Sequence, residues 1–176
     1  MIDQTTNTLM QSIESPPLTL ISKTIAHVFD PIVLIIISIL IAAFLYLKVS
    51  KKKGIFLALT ILITGAAIKL AKEIFGRARP LNALIPETSN ALPSGHATIA
   101  VVFFGLMIYL FANKKQKTKA TITASLIILL IGFTRIYLRV HWLTDVLAGF
   151  PIGAIILTTS ILIYKNSNLS TSYKPK

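Results

Sequence analysis

The sequence predicts an all-α integral membrane protein, a bundle of five transmembrane helices, or six if the N-terminal segment also crosses, with an N-terminal interfacial helix. Hydrophobic residues make up 54% of the 176 residues, and the mean hydropathy of +0.75 exceeds that of ordinary soluble domains. The apolar residues also fall into five long stretches. Each stretch approaches the roughly 17 to 25 residues that a helix needs to cross the hydrocarbon core.

Residues 1–28 form an N-terminal arm that we expect to lie in the membrane interface. The arm is polar at first, contains Pro16 and Pro17, and then carries apolar residues in a mixed pattern that suits an interfacial helix. Its first 22 residues hold no Lys or Arg, so the basic start of a cleavable signal peptide is missing. We therefore expect insertion to depend on the internal segments.

The five apolar stretches predict the spanning helices. They cover about 31–47, 55–75, 97–112, 119–138 and 143–164. We assign residues 29–165 to one transmembrane domain and expect the polar segment 166–176, NSNLSTSYKPK, to be a disordered cytoplasmic tail. On the last stretch, Gly149 and Gly153 form a small-xxx-small pair, which favours close packing against a neighbouring helix, although glycine is also simply tolerated in membrane helices.

The distribution of lysine predicts the orientation in the cell membrane. Eleven lysines follow the first, third and fifth stretches, and all of them fall on one side: Lys48, Lys51, Lys52, Lys53, Lys114, Lys115, Lys117, Lys119, Lys165, Lys174 and Lys176. The positive-inside rule makes that side, and with it the C-terminus, cytoplasmic. The same rule explains the net charge of +12 without nucleic acid as a partner. The absence of cysteine excludes disulfides, thiolate zinc sites and cysteine nucleophiles.

Several ionisable residues gather at the opposite, outward ends of four stretches. A single Lys or Arg at a helix end is commonly a snorkelling anchor. Several such groups at one membrane level instead predict a polar site in the mouth of the bundle. The residues concerned are Lys72, Arg79, His96, Arg135, His141 and Asp145.

His141 and Asp145 lie four residues apart, on one face of a helix. A carboxylate bonded to one imidazole nitrogen fixes the tautomer and leaves the other nitrogen as a directed base or nucleophile. The alternative is a plain ion pair at a helix start, with Asp145 near the positive end of the dipole. The pair alone does not decide between them.

The stretch LPSGHAT predicts a helix entry with anion-binding character. Ser94 can cap the third spanning helix, and the free N–H groups there form an anion pocket. Gly95 leaves the backbone open to a ligand, and His96 stands in the first turn beside any bound anion. The alternative is an ordinary capped helix that happens to carry a histidine.

The stretch KEIFGRARP predicts a cationic cradle at a helix end. Gly76 can terminate the second spanning helix, and Pro80 prevents its return. Arg79 offers a planar fork that matches two phosphate oxygens, while Lys72 supplies a compact charge. Arg77 is either another contact of this cradle or an anchor to lipid headgroups, and we favour the anchor.

Together these residues resemble the three-part signature of the type 2 phosphatidic acid phosphatase superfamily. Its parts correspond here to Lys72 with six residues before Arg79-Pro80, to 93–96 (PSGH), and to Arg135 with His141 and Asp145 at the family's spacing. The three parts extend over 74 residues, from 72 to 145. One departure is Thr134, where the family usually has serine; threonine keeps the hydroxyl.

The resemblance implies a mechanism and a set of roles. His141 would attack phosphorus and form a phosphohistidine, Asp145 would orient its imidazole, and His96 would protonate the leaving oxygen and later activate water. The remaining residues would bind phosphate oxygens: Lys72, Arg79, Ser94, Gly95, Arg135 and Thr134. No metal and no cofactor is implied, because the cations neutralise the phosphate charge.

The expected function is therefore hydrolysis of a phosphomonoester or diphosphate headgroup of a membrane lipid on the outer face. Undecaprenyl diphosphate is the first candidate, and phosphatidylglycerophosphate and phosphatidic acid are alternatives. A lipid phosphotransferase would use the same residues. A non-enzymatic anion-conducting or lipid-binding protein is the other class, but channels commonly repeat charge around a pore axis, whereas this cluster is asymmetric. No obligate protein partner is inferred.

The loop 76–93 is expected either to cover the site or to determine which headgroup is accepted, and Glu87 is expected to be solvated.

Overall fold

A computed structural model describes residues 1–172, and in that range the chain forms seven α-helices and no strand. The helices are α1 Ile2–Ser12, α2 Pro16–Val28, α3 Pro31–Lys48, α4 Lys51–Phe75, α5 Gly95–Phe111, α6 Lys117–Tyr137 and α7 Leu143–Ser172. The predicted all-α class is confirmed. Each of the five predicted stretches corresponds to one of the helices α3 to α7.

Four helical segments in the described part of the chain are long and apolar enough to cross a membrane. They are Pro16–Lys48, counted as one run through α2 and α3, then Lys51–Phe75, Lys117–Tyr137 and Leu143–Ser167. Helix α5 is apolar but shorter, with 17 residues. At about 1.5 Å per residue it covers roughly 25 Å, close to the thickness of the hydrocarbon core.

Local signals in the sequence set the helix boundaries. Asp30 caps α3, since its Oδ1 accepts a hydrogen bond from the N–H of Ile32 at 2.8 Å, and Pro31 occupies the first helical position. Gly76 ends α4 in the left-handed conformation, with φ of 54°, which a residue with a Cβ adopts only at a cost. The predicted role of Gly76 as a helix terminator is confirmed.

Helix α5 lies in the centre of the bundle, in contact with α3, α4, α6 and α7. The glycine pair of α7 faces it. A Cβ on Gly149 would lie 2.9 Å from the Ser94 carbonyl oxygen, and a Cβ on Gly153 would lie 2.7 Å from the Thr98 carbonyl oxygen. Both distances are shorter than a carbon–oxygen contact allows, so the two glycines let α7 approach the backbone of α5.

The N-terminal arm consists of two helices instead of the single interfacial helix that we expected. Pro16, at the first position of α2, lacks the N–H that would continue a hydrogen-bond ladder from α1. Both helices pack on α6, and α1 also contacts α7. Tyr137 of α6 is buried beneath the junction, where its hydroxyl lies 2.9 Å from Thr19 Oγ1.

Residues 166–172, part of the segment for which we expect a disordered tail, belong to helix α7. Helix α7 continues through this range to Ser172. The segment contains neither glycine nor proline, so no residue interrupts the helical ladder there. The remaining part of the predicted tail, 173–176, lies outside the described residues.

Candidate active site

The predicted site residues converge at one end of the bundle, which we call the site end. Here α4 and α6 finish, α3, α5 and α7 begin, and the connecting segment 76–94 crosses the opening. A cavity of about 270 Å³ opens at this end. Its polar lining includes both imidazoles and two cations: Lys72, Arg79, Glu87, Ser89, His96 and His141.

The cavity also has an apolar wall, formed mainly by α3 and α4. Pro31, Ile32 and Ile35 line it from α3, and Gly65 and Ile68 from α4. This wall continues away from the charged residues along the two helices. The cavity therefore has a cationic end and an apolar wall that runs along α3 and α4.

Lys72 and Arg79 are held by the segment that follows α4. Lys72 Nζ donates to the carbonyl oxygen of Asn90 and, at 3.2 Å, to Ser89 Oγ. Arg79 Nε donates to the Ser89 carbonyl oxygen at 2.6 Å, and its Nη1 donates to the carbonyl oxygen of Val140. Burial lowers the pKa of Arg79, and the Glu87 carboxylate opposes that shift. Loop carbonyls thus fix both cations with their charged ends at the cavity.

Arg135 and Glu87 form an ion pair beside the cavity, in which Arg135 is buried and Glu87 remains partly exposed to solvent. Arg135 Nη2 donates to Glu87 Oε1 at 2.5 Å, and Arg79 Nη2 lies 3.7 Å from Glu87 Oε2. The Nε of Arg135 is buried and has no hydrogen-bond partner among the described residues. The sequence analysis placed Glu87 in solvent; the residue is exposed, but its carboxylate also pairs with the arginines of the site, which we did not expect. Two arginines attract its carboxylate into the cationic cluster, and no spacing rule in the sequence reveals that long-range contact.

His141 lies between a carboxylate and a guanidinium. Its Nδ1 is 3.5 Å from Asp145 Oδ2, and its Nε2 is 3.3 Å from Arg79 Nη1. Asp145 is fully buried. The predicted proximity of His141 and Asp145 is confirmed, and it directs Nε2 towards the cations that line the cavity.

The environment of His141 favours the neutral imidazole. Burial lowers the pKa of His141 to about 4, the Asp145 carboxylate opposes the shift, and the positive charges of Arg79 and Arg135 add to it. A neutral ring with its Nδ1 proton towards Asp145 carries a lone pair on Nε2. That is the protonation state that a nitrogen nucleophile requires.

His96 stands in the first turn of α5, on the cavity wall. Its Nε2 lies 3.2 Å from the carbonyl oxygen of Ala26 in α2 and 3.9 Å from Asp30 Oδ2. The ring is buried. Because His96 and His141 line the same cavity, the structure brings the two predicted imidazoles to one site.

Two of the predicted phosphate contacts, Ser94 and Thr134, lie behind the cavity wall. Ser94 does not cap α5 through its side chain, contrary to expectation. Its N–H is instead committed to the Asp145 carbonyl oxygen at 3.0 Å, and its buried hydroxyl has no partner within the described chain. The Thr134 hydroxyl donates to the Ile131 carbonyl oxygen at 2.7 Å. Gly95 does line the cavity, and a Cβ there would meet Ile68 Cγ2 at 3.6 Å.

Arg77 is not the lipid anchor that the sequence suggested. Its Nη1 donates to Asp145 Oδ1 at 2.6 Å, and its Nη2 donates to Asp3 Oδ2 at 2.6 Å. Arg77 therefore belongs to the surroundings of the His141–Asp145 pair. Within residues 1–172, no group of three or more His, Asp or Glu side chains is arranged to hold a metal ion.

Comparison with known proteins identifies a family with this architecture. The family model described as the PAP2 superfamily matches residues 53–169. That range includes all three motifs and the helices that carry them. It covers well over half of the chain.

Among the known proteins that resemble the chain are two curated relatives and one solved structure. Phosphatidylglycerophosphatase B of Bacillus subtilis is 37% identical over 94 residues, or 50% of this chain and 46% of the relative. Undecaprenyl-diphosphatase of Sulfolobus acidocaldarius is 30% identical over 129 residues, or 69% of this chain and 60% of the relative. The chain thus spans about half the length of the curated relatives it matches. The crystal structure of a transmembrane PAP2 type phosphatidylglycerolphosphate phosphatase from Bacillus subtilis superposes with a TM-score of 0.81 at 29% identity, covering 93% of this chain and 85% of that one.

Proposed function

Because this chain belongs to the PAP2 superfamily, we propose that it is a membrane lipid phosphatase that removes phosphate from a phosphomonoester or diphosphate headgroup without a metal ion. The reaction passes through a phosphohistidine at His141. The site end faces outward, and the lysine-rich loops and the C-terminus face the cytoplasm of a multi-pass protein of the cell membrane.

The observation that carries the proposal is the composition of the cavity that both histidines line at the site end. Two histidines and two cations line one end of it, and an apolar wall of α3 and α4 continues from there. A lipid phosphate has the same division into a charged head and an apolar chain. The headgroup would reach His96 and His141 while the chain stays against Ile32 and Ile35.

The cations position and neutralise the phosphoryl group. Arg79 and Arg135 supply planar guanidinium forks, and Lys72 supplies a compact ammonium group. Phosphoryl transfer depends mainly on such positioning and on neutralisation of the equatorial oxygens. The backbone of Gly95, with Ser94 and Thr134 behind it, completes the anion-binding end.

In the first step, the Nε2 lone pair of His141 forms a bond to phosphorus as the bond from phosphorus to the leaving oxygen breaks. Protonated His96 donates its proton to that oxygen, which leaves as an alcohol or as a lipid monophosphate. Asp145 holds the Nδ1 proton of His141 and offsets the positive charge that develops on the ring.

In the second step, a water oxygen attacks phosphorus, and neutral His96 takes a proton from that water. The phosphorus–nitrogen bond breaks, and its electron pair returns to His141 Nε2. Inorganic phosphate leaves, and His96 is again protonated. If a second lipid hydroxyl replaced water, the same residues would perform phosphotransfer.

Undecaprenyl diphosphate is the first candidate substrate, and phosphatidylglycerophosphate is the second. The first draws support from the likeness to an undecaprenyl-diphosphatase, which extends over 69% of the chain. The second draws support from the likeness to a phosphatidylglycerophosphatase at 37% identity. Both lipids carry apolar chains and a headgroup that ends in a terminal phosphate.

The test is phosphate release by the purified protein in detergent with a metal chelator present. The panel contains undecaprenyl diphosphate, phosphatidylglycerophosphate and phosphatidic acid. We expect turnover of at least one lipid, and we expect His141→Ala to abolish it. The matched control is His27→Ala, because His27 is an exposed histidine of α2 and should leave turnover unchanged.

Turnover that disappears with chelator and returns with a divalent ion would contradict the metal-independent reaction. Undiminished turnover in His141→Ala would remove the nucleophile from the proposal. A folded protein that binds lipid phosphates but releases no phosphate from any of them would favour the non-enzymatic class.

A further inference from the structure

A network of hydrogen bonds joins the N-terminal helix α1 to the histidine–carboxylate pair of the site. It begins at Asp3, in the first turn of α1. Asp3 Oδ1 accepts the backbone N–H of Thr144 at 2.9 Å, and Asp3 Oδ2 accepts the Thr144 hydroxyl at 2.7 Å. Thr144 is the second residue of α7, so its N–H is one that the helix itself leaves unpaired. Asp3 thus caps α7 from a distant part of the chain.

Arg77 connects this cap to Asp145. Its Nη2 donates to Asp3 Oδ2 at 2.6 Å, and its Nη1 donates to Asp145 Oδ1 at 2.6 Å and to Thr144 Oγ1 at 2.7 Å. One guanidinium therefore lies between two carboxylates. A planar fork can reach both, whereas an ammonium group is a single point of charge.

The two carboxylate oxygens of Asp145 therefore have different partners. Arg77 occupies Oδ1, while Oδ2 accepts the N–H of Trp142 at 2.8 Å and lies 3.5 Å from His141 Nδ1. Asp145 is fully buried, and a buried carboxylate needs such partners to stay ionised and oriented. The bond from Arg77 to Oδ1 and the bond from the Trp142 N–H to Oδ2 together set its rotation, and hence the direction of Oδ2 towards His141.

We propose that Arg77 and Asp3 are positioning residues of the phosphatase, which hold the Asp145 carboxylate in line with His141 and make helix α1 part of the active site. This rests on the proposed function, since it assigns residues that act through Asp145. Neither residue lines the cavity, so both should influence the chemical step and not the binding of the phosphate group.

The first test separates kcat from KM. Arg77→Gln should lower kcat by about 10- to 100-fold, by analogy with the loss of an outer-shell partner that orients a metal-ligating histidine or carboxylate, with KM and inhibition by inorganic phosphate unchanged. Arg77→Lys should recover only part of the rate, because the lysine ammonium group cannot bridge both carboxylates. Asp3→Asn should also lower kcat.

The matched control is Glu14→Gln. Glu14 is another acidic residue of the N-terminal arm, and it pairs with Arg139 at 2.8 Å, away from Asp145.

A double-mutant cycle distinguishes positioning from plain stabilisation. If Arg77 acts through Asp145, Arg77→Gln should cost little further activity in an Asp145→Asn background. An equal loss in both backgrounds, together with a lower Tm, would mean that Arg77 only stabilises the fold and would overturn the proposal. An unchanged kcat in Arg77→Gln would overturn it as well.

A readout without turnover keeps this proposal separate from the proposed function. In NMR titrations of histidine-labelled protein, Arg77→Gln should raise the pKa of His141, because the Asp145 charge is no longer shared with a guanidinium. Glu14→Gln should leave that titration unchanged. A wild-type protein without phosphatase activity would contradict the proposed function. An unchanged pKa of His141 in Arg77→Gln would contradict the positioning role.

Discussion

The carboxylate of Glu87 lies between the guanidinium groups of Arg135 and Arg79, with Oε1 2.5 Å from Arg135 Nη2 and Oε2 3.7 Å from Arg79 Nη2. A carboxylate and a phosphate present similar oxygens to an arginine fork. Glu87 therefore occupies the arginines that a phosphate group would use. In the proposed reaction, an incoming headgroup would exchange with this carboxylate.

This exchange predicts tighter phosphate binding when the Glu87 charge is removed. Hydrogen bonds to charged groups contribute about 1.5–3 kcal/mol, so Glu87→Gln should lower the Ki of inorganic phosphate by about 10- to 150-fold. Competitive inhibition of lipid turnover measures it. The control is Glu73→Gln, because Glu73 is an exposed carboxylate of α4 that does not line the cavity. A Ki that stays constant or rises in Glu87→Gln would show that Glu87 does not compete with phosphate.

The low pKa of His141 predicts how the site responds to acid. Since burial and the neighbouring cations lower it to about 4, the imidazole should stay neutral as the pH falls from 7 to 5. Arg79→Gln removes one of those positive charges, so the imidazolium becomes less unfavourable and the pKa should rise. NMR titration of His141 measures both values, with signals assigned from variants of His27 and His96. A wild-type midpoint near the ordinary histidine pKa of roughly 6.5 would contradict the described environment.

Close packing of α7 on α5 predicts a strict size limit at Gly149. A Cβ there would lie 2.9 Å from the Ser94 carbonyl oxygen and 3.0 Å from Ala97 Cβ, so α7 would have to move away from α5. Because α5 carries His96 and α7 carries Asp145, the shift would change the position of His96 relative to the His141–Asp145 pair. We expect Gly149→Ala to cost about 1–3 kcal/mol of stability and to lower turnover. Ala154→Val, at an exposed position of α7, should do neither.

The lysine distribution predicts which end of the bundle faces outward. The chain has no cysteine, so single cysteines can be introduced and labelled with a membrane-impermeant maleimide. Leu81→Cys, at a fully exposed position of the site end, should react in intact cells. Lys115→Cys, in the exposed connection between α5 and α6, should react only after permeabilisation. The reverse pattern would place the site on the cytoplasmic side.

Much of the site could be predicted because its key residues belong to short, regular patterns. The four-residue spacing of His141 and Asp145 places them on one face wherever that segment is helical. Gly76 and Pro80 mark the end of α4 through local backbone rules that act within a few residues. Hydropathy alone located α3 to α7, because spanning helices must be long and apolar.

The rest could not be predicted because it depends on contacts between distant parts of the chain. Asp3 and Thr144 are separated by 141 positions, and nothing in the local sequence of either residue indicates the other. From the sequence, Glu87 is a solvated loop residue. In the structure its carboxylate binds Arg135, which lies 48 positions away. Ser94 is typical of a helix cap, yet its N–H is engaged by Asp145, and the hydroxyl is buried.

The most direct test of the central claim is to trap the covalent intermediate. Purified protein would be mixed with its preferred lipid phosphate, labelled at the terminal phosphorus, quenched under alkaline conditions that preserve phosphohistidine, and mapped by mass spectrometry. We predict label on the peptide that contains His141, and none in His141→Asn. Turnover with the label on His96, or on no residue at all, would contradict the account.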